Sequence, residues 1–181
     1  MTGAYTEATV KRKKTAGTFA AKAAMIFGVL LFLALWLFPV LGSTVGSISI
    51  VLAIGMTVLC IAMFPRFDVV FEYVYCDGQI DFDKISGGEK RKRMLRIDLD
   101  NIEIMAPENS SEIKAFDNQN LNVKDYSSLD PDAKKYVIVA SEGNERSKIV
   151  FEPSDTMLEL AKGKAARKVF LEGESGKMFI Q

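Results

Sequence analysis

Lys90-Arg91-Lys92-Arg93, with Arg96 just beyond, is the densest group of chemically active side chains in this 181-residue sequence. Cations this close together attract phosphates and carboxylates. Near an anionic lipid surface each contributes up to about 1 kcal/mol. One reading of the run is therefore contact with anionic lipid or an acidic partner. The other is a solvated turn whose charges discourage strand edges from pairing. Both stay open. Asp81 and Asp83 are the second group. Two carboxylates two apart on a strand share one face, and weak cation binding is conceivable there. The spacing and distal Glu of a calcium loop are missing, and a solvated strand face is the default.

The sequence contains no histidine. That excludes Ser-His-Asp and Cys-His catalysis, imidazole metal ligation and the usual pH switch. Cys60 lies in an apolar run, where a packing role is expected. Cys76 ends a predicted strand. Neither has a CxxC partner, and a cytoplasmic setting argues against a structural disulfide. We expect no enzyme activity, catalytic residues, metal site or cofactor.

Two motifs tempt and fail. Ile85-Ser86-Gly87-Gly88-Glu89 resembles the ABC-transporter signature, but it lies between two strands rather than at a helix start. Gly173-Glu174-Ser175-Gly176-Lys177 has the look of a phosphate-loop end. Leu171 stands where the earlier glycine belongs and Met178 where Ser or Thr should follow the lysine.

The elements that must position these residues begin with two uncharged apolar stretches, 23–41 (AAMIFGVLLFLALWLFPVL) and 48–64 (ISIVLAIGMTVLCIAMF). As helices each reaches roughly 25–29 Å, close to the ~30 Å hydrocarbon core of a bilayer. The short, uncharged connection between them joins antiparallel helices. We expect a basic cytoplasmic tail over 1–22, a two-helix membrane hairpin over 23–64, a cytoplasmic β domain over 67–171 and a flexible tail over 172–181. Lys11, Arg12, Lys13, Lys14 and Lys22 precede the hairpin, Arg66 follows it, and the loop has no charge. That pattern predicts a two-span cell-membrane protein with both termini in the cytoplasm.

A signal peptide is the competing reading of the first stretch. The run is longer than a usual signal core, has no clear cleavage site, and is followed at once by a second span. Ala20, Ala24 and Gly28, and Ser49, Ala53 and Thr57, repeat every fourth position. They suit either packing of the hairpin on itself or a dimer face. Pro39 and Trp36 mark the outer end. The intramembrane segments carry no ionisable group, which disfavours a proton or ion path.

Overall the formal charge is zero. The first 22 residues hold five basic groups and one acidic, whereas from Arg66 onward there are 18 basic and 22 acidic. The basic set Lys11–Lys14 is thus placed to lie against anionic headgroups. The acidic remainder disfavours nucleic acid as a partner.

From Phe67 the pattern turns to period two. Val69, Phe71, Tyr73 and Tyr75 predict a strand, Asp77-Gly78 a hairpin turn and residues 79–85 its return. Gly87-Gly88 predicts the next turn, with strands over 93–99 and 102–105. A polar loop is expected over 107–131, with a short strand near 121–126. Strands follow over 136–140 and 147–151, joined by Glu142-Gly143-Asn144-Glu145. Ser154 is the expected N-cap of a helix with Met157, Leu158, Leu160 and Ala161 on its apolar face, and 167–171 is a last extended segment. Six or seven strands and then a C-terminal helix is the order of a pleckstrin-homology-like (PH-like) barrel or sandwich.

Several stretches carry a resemblance: Val10-Lys11-Arg12-Lys13 with Thr15-Ala16-Gly17; Phe71-Glu72-Tyr73-Val74-Tyr75 with Gly78; and Asp81-Phe82-Asp83-Lys84-Ile85. Arg91-Lys92-Arg93, Ala106-Pro107-Glu108, Val150-Phe151-Glu152-Pro153 and Arg167-Lys168-Val169-Phe170 extend it. Over nearly its whole length the chain resembles two-span membrane proteins of Gram-positive, clostridial-type bacteria that are classed as a domain of unknown function. More distantly it is similar to bacterial PH-like domains tethered to paired membrane helices. The resemblance implies architecture and location and supplies no catalytic residue. The expected role is a membrane-tethered binding or scaffolding module whose partners are the lipid bilayer, anionic lipid, a membrane protein or a second copy. The alternative is an accessory subunit of a transport or secretion complex.

Overall fold

A computed structural model of the chain describes residues 4–37, 43–88, 90–142 and 145–173. Contacts divide it into two compact units: Met1–Lys13 with Val70–Ile85 and Arg91–Gln181, and Lys14–Val69 with Ser86–Lys90.

The first unit is mainly β. One sheet has the order β1-β2-β3-β4, from β1 (Tyr5–Lys11), β2 (Val69–Cys76), β3 (Gln79–Ser86) and β4 (Lys90–Asp98). Phe71, Tyr73 and Tyr75 alternate inward on β2, as the period-two pattern requires. The β2–β3 turn is Asp77-Gly78, with φ of 47° and 93°. Two successive positive φ values make the turn whose twist matches the strands it joins.

β5 (Ile102–Pro107), β6 (Asn122–Asp125), β7 (Tyr136–Glu142) and β8 (Glu145–Phe151) form a second sheet, ordered β5-β7-β8-β6. Tyr73, Phe82, Tyr126 and Phe151 pack ring to ring at 5.3–5.6 Å. The Tyr73 hydroxyl donates to the Tyr126 carbonyl at 2.6 Å. Burial pushes that phenol well above its usual range. Ile104, Ala106, Ile113, Val137, Val139 and Val150 form a further apolar cluster.

Helix α4 (Asp155–Lys164) starts where expected. Ser154 Oγ accepts from the Met157 N–H, and Met157, Leu158 and Ala161 are buried. Gly163 lies within it.

Several expectations are corrected. The stretch 1–22 is not all tail, because Tyr5–Lys11 is a strand paired antiparallel with β2 from Tyr5↔Cys76 to Lys11↔Val70. Its partner lies beyond both helices in sequence, so no local pattern announces the pairing. The 107–131 segment holds a helical turn, α3 (Ser111–Lys114), capped by Ser110. The short strand expected near 121–126 is present as β6, and it pairs parallel with β8. Of residues 167–171, only Val169 bridges, to Met105.

The two sheets do not close into a barrel. The tight turn after β4 moves the chain into the second sheet, whose far strand is β6 rather than a strand closing on β1.

The second unit holds α1 (Ala16–Leu37), α2 (Ser43–Met63) and a 3-10 turn, Phe64–Phe67. Both helices are long and apolar enough to cross a membrane. The first begins earlier than expected and takes in Lys22. Ser49 and Ala53 are buried on α2, and a Cβ on Gly28 would lie 2.9 Å from Met56 Cε. These small residues serve packing of the two helices on each other. Pro39, Gly42, Glu89, Gly143, Asn144 and the motif glycine and lysine Gly176 and Lys177 lie outside the described residues, as does the tail from 174.

Candidate functional site

The basic run is strand, not turn: β4 begins at Lys90. Pairing beside β3 brings Arg91, Arg93 and Arg96 to the carboxylates of its neighbours. Arg91 Nε donates to Asp83 Oδ2 at 2.7 Å, and its NH2 lies 3.1 Å from Glu72 Oε2. Arg96 grips Asp81 with two bonds, at 2.5 and 2.7 Å, the fork geometry that suits guanidinium and carboxylate. Arg93 adds contacts of 3.5 Å to Asp81 and 3.9 Å to Asp83.

Asp83 is buried. Its Oδ1, like Glu72 Oε2, is held by charge contact without a hydrogen bond. The hydrogen bond from Arg96 holds the Asp81 carboxyl below its usual range. The second predicted group thus meets the first: Asp81 and Asp83 face arginines rather than a cation from solution. Lys90 and Lys92 are exposed, and no acidic side chain pairs with either among the described residues.

The tail cations divide similarly. Lys13 is tied to Asp130 at 2.7 Å, and its N–H donates to the Ser128 carbonyl. That lysine holds the Asp130 carboxyl below its usual range. The Arg12 guanidinium lies over the Phe71 ring at 5.6 Å. Lys11 is an exposed residue ending β1. Lys14 lies 3.9 Å from Asp68.

At the base of the helices, Lys22 is caught between the rings of Phe64 and Phe67, each 5.6 Å away, and lies 3.8 Å from Asp68. The Gly87 N–H donates to the Asp68 carbonyl at 3.2 Å. Gly87 has φ of +65°, and a Cβ there would lie 3.0 Å from Pro65 Cβ. A positive φ and a close approach both call for glycine at this position. Sequence reasoning missed this clasp, although Phe64-Pro65-Arg66-Phe67 after an apolar helix was a signal that could have flagged it.

Elsewhere on the β unit, Glu103 takes paired bonds from Arg146 and one from Ser141. A cavity of about 60 Å³ lies among Leu95, Ile97, Ala140, Ser147 and Ile149, and Ser147 Oγ is buried with no hydrogen-bond partner among the described residues. An open cleft of about 340 Å³ runs between Lys134, Tyr136, Asp155, Leu158 and Glu172. Among the described residues no three Cys, Asp or Glu groups converge as a metal site would require.

Comparison with known proteins gives one finding. A family described as Bacterial PH-like domain (DUF6106) matches residues 2–171, a span that takes in β1 and both helices as well as the two sheets. No curated protein and no solved structure matches. With two β-sheets, a C-terminal helix and a match over nearly its whole length, the chain belongs to the bacterial PH-like domain family DUF6106, whose function is unknown.

Proposed function

We propose that this chain is a membrane-tethered PH-like module that presents its β unit to the cytoplasm as a binding or scaffolding surface. The observation that carries the tether is the exposure of the helices. No residue of α1 is buried. Phe27, Leu30, Leu31 and Trp36, with Val51, Ile54 and Ile61 on α2, point outward. A soluble core helix of this composition would be covered by protein, and so large an apolar surface does not persist in water. Cleavage as a signal peptide would remove β1, which pairs with β2 along its whole length.

That pairing supports the same side for β1 and the β unit, since a strand ladder cannot form across a bilayer. Lys14, Lys22 and Arg66 at one end of the hairpin, against an uncharged loop at the other, favour the cytoplasm for that side. Tethering raises the local concentration of the module near membrane partners, so weak contacts suffice. The second reading, an accessory subunit docked on a larger membrane complex, draws on the same exposed helix faces.

Cysteine labelling tests the location. Cys76 is exposed. In a Cys60→Ala background, an impermeant maleimide should reach Cys76 only after cells are opened. With Cys76 also replaced, Thr44→Cys should label in intact cells. Recovery in the soluble fraction would sink the tether, and Cys76 labelling in intact cells would reverse the orientation. Mild-detergent purification with mass spectrometry then separates module from subunit: a stoichiometric membrane partner favours the subunit.

A further inference from the structure

We infer that Lys14, Arg66 and Lys90 form a cationic rim that binds the phosphate groups of anionic lipid headgroups. The inference rests on the membrane reading above, and it moves the lipid contact away from most of the basic run. The carboxylates Glu72, Asp81 and Asp83 occupy Arg91, Arg93 and Arg96. Arg96 is forked onto Asp81 and Arg91 bridges two carboxylates, which leaves both with less to offer a phosphate.

Topology supplies the placement. Strands joined by turns of two or three residues must run antiparallel, and in such a meander alternate connections leave the same end. The β1–β2 connection is the helical hairpin itself. The connection from β3 to β4, with Gly87 and Gly88 in it, and the connection from β1 to β2 therefore leave the same end of the sheet. The Gly87 hydrogen bond to Asp68 and its contact with Pro65 fasten that turn to the base of α2. Lys14 stands just before α1, Arg66 just after α2, and Lys90 just after the turn, all in the helical unit.

Among the described residues of that unit these three are the exposed cations, whereas Lys22 is partly buried. Lys22 is taken up by Phe64, Phe67 and Asp68. Asp68, shared with Lys22, is 3.9 Å from a largely exposed Lys14. The Arg66 guanidinium lies 3.7 Å from Met63 Sδ, and among the described residues no carboxylate pairs with it. A spanning helix pair puts its ends at headgroup depth. There a phosphate diester with a neutral or absent headgroup cation is attracted more than phosphatidylcholine, whose choline offsets the charge.

The test uses the full chain in nanodiscs of phosphatidylcholine containing phosphatidylglycerol, with retained lipid counted by native mass spectrometry. Wild type should retain phosphatidylglycerol selectively, and less so as salt rises. Lys14→Gln/Arg66→Gln/Lys90→Gln should lose retention by up to about fivefold per charge removed. Lys164→Gln/Arg167→Gln, two cations of the β unit that are not part of the rim, should retain lipid as wild type does. Single Lys90→Gln and its counterpart Lys90→Arg guard against misfolding: the first should lose retention and the second keep it, with unchanged melting of the β unit. Equal retention by the triple variant and wild type, or equal loss by the control pair, would overturn the rim. Displacement by inorganic phosphate would overturn its assignment to lipid. A wild type that enters nanodiscs without selectivity defeats the rim alone, whereas failure to enter bilayers defeats the membrane reading beneath it.

Discussion

Helix α1 and strand β2 are both rich in large apolar side chains, and their fates are opposite. On β2, Phe71, Tyr73 and Tyr75 are buried, with Val70, Glu72 and Val74 between them only partly so. On α1 nothing is buried. The strand alternates, so half its side chains can meet a core while the rest face out. The helix is apolar on every side, and one neighbouring helix cannot cover it. The chain folds its β unit around its own apolar surface, and most of the apolar surface of the helices stays exposed. Cations divide in the same way: the arginines of β4 find carboxylates, and among the described residues Lys90 and Lys92 do not.

The largest effect that would sharpen this contrast is loss of a core ring. Phe82 is 1 % exposed among aromatic neighbours. Phe82→Ala should destabilise the β unit by about 3–5 kcal/mol, read by denaturant unfolding of the purified protein. Leu30→Ala should leave that transition nearly unmoved.

Leu30→Arg could break the contrast. An arginine at the centre of a span opposes insertion by about 2.5–3.5 kcal/mol, so the membrane-pelleted fraction should fall. If the variant pellets like wild type, the lipid-facing assignment of α1 fails.

Among the charges, Asp83→Asn removes the buried carboxylate that Arg91 and Arg93 share. It should cost about 1–2 kcal/mol in thermal unfolding, whereas Lys92→Gln should change stability by less than about 0.5 kcal/mol. Ser154→Ala should cost about 1 kcal/mol through loss of the α4 cap, with no effect on membrane recovery.

The smallest effect is set by pH. Arg96 and Arg146 depress the carboxyls of Asp81 and Glu103. Their stabilisation is present above the ordinary carboxylate range and is lost as pH falls through the depressed values. Acid titration of the unfolding temperature should show this fall, and Asp81→Asn should flatten it. An unchanged profile would mean that the Asp81 pairing adds nothing to folding.

Much of the β unit was legible because its signals are local. Asp77-Gly78 dictates its turn, Ser154 caps its helix through a bond three residues away, and the alternation of β2 names its own buried face. The candidate site was half legible. Composition revealed the basic run and the acidic pair separately, but not that they neutralise each other, because that depends on strand register. The run was expected in the turn that Gly87-Gly88 predicts, with the next strand starting only at Arg93. Like charges side by side in a strand repel. Carboxylates on neighbouring strands remove that repulsion and let β4 start at Lys90.

Composition and period alone determined that two long apolar helices precede an alternating, mildly acidic β region without histidine chemistry. These are properties of neighbours along the chain, where solvation and backbone geometry act directly. Tertiary structure decided that Tyr5–Lys11 completes the first sheet across the whole hairpin, that β6 joins in parallel, that the sheets stay open, and that three of the five clustered cations are already paired. Each depends on groups distant in sequence meeting in space, and their pairing free energy appears only once the strands between them have taken their register.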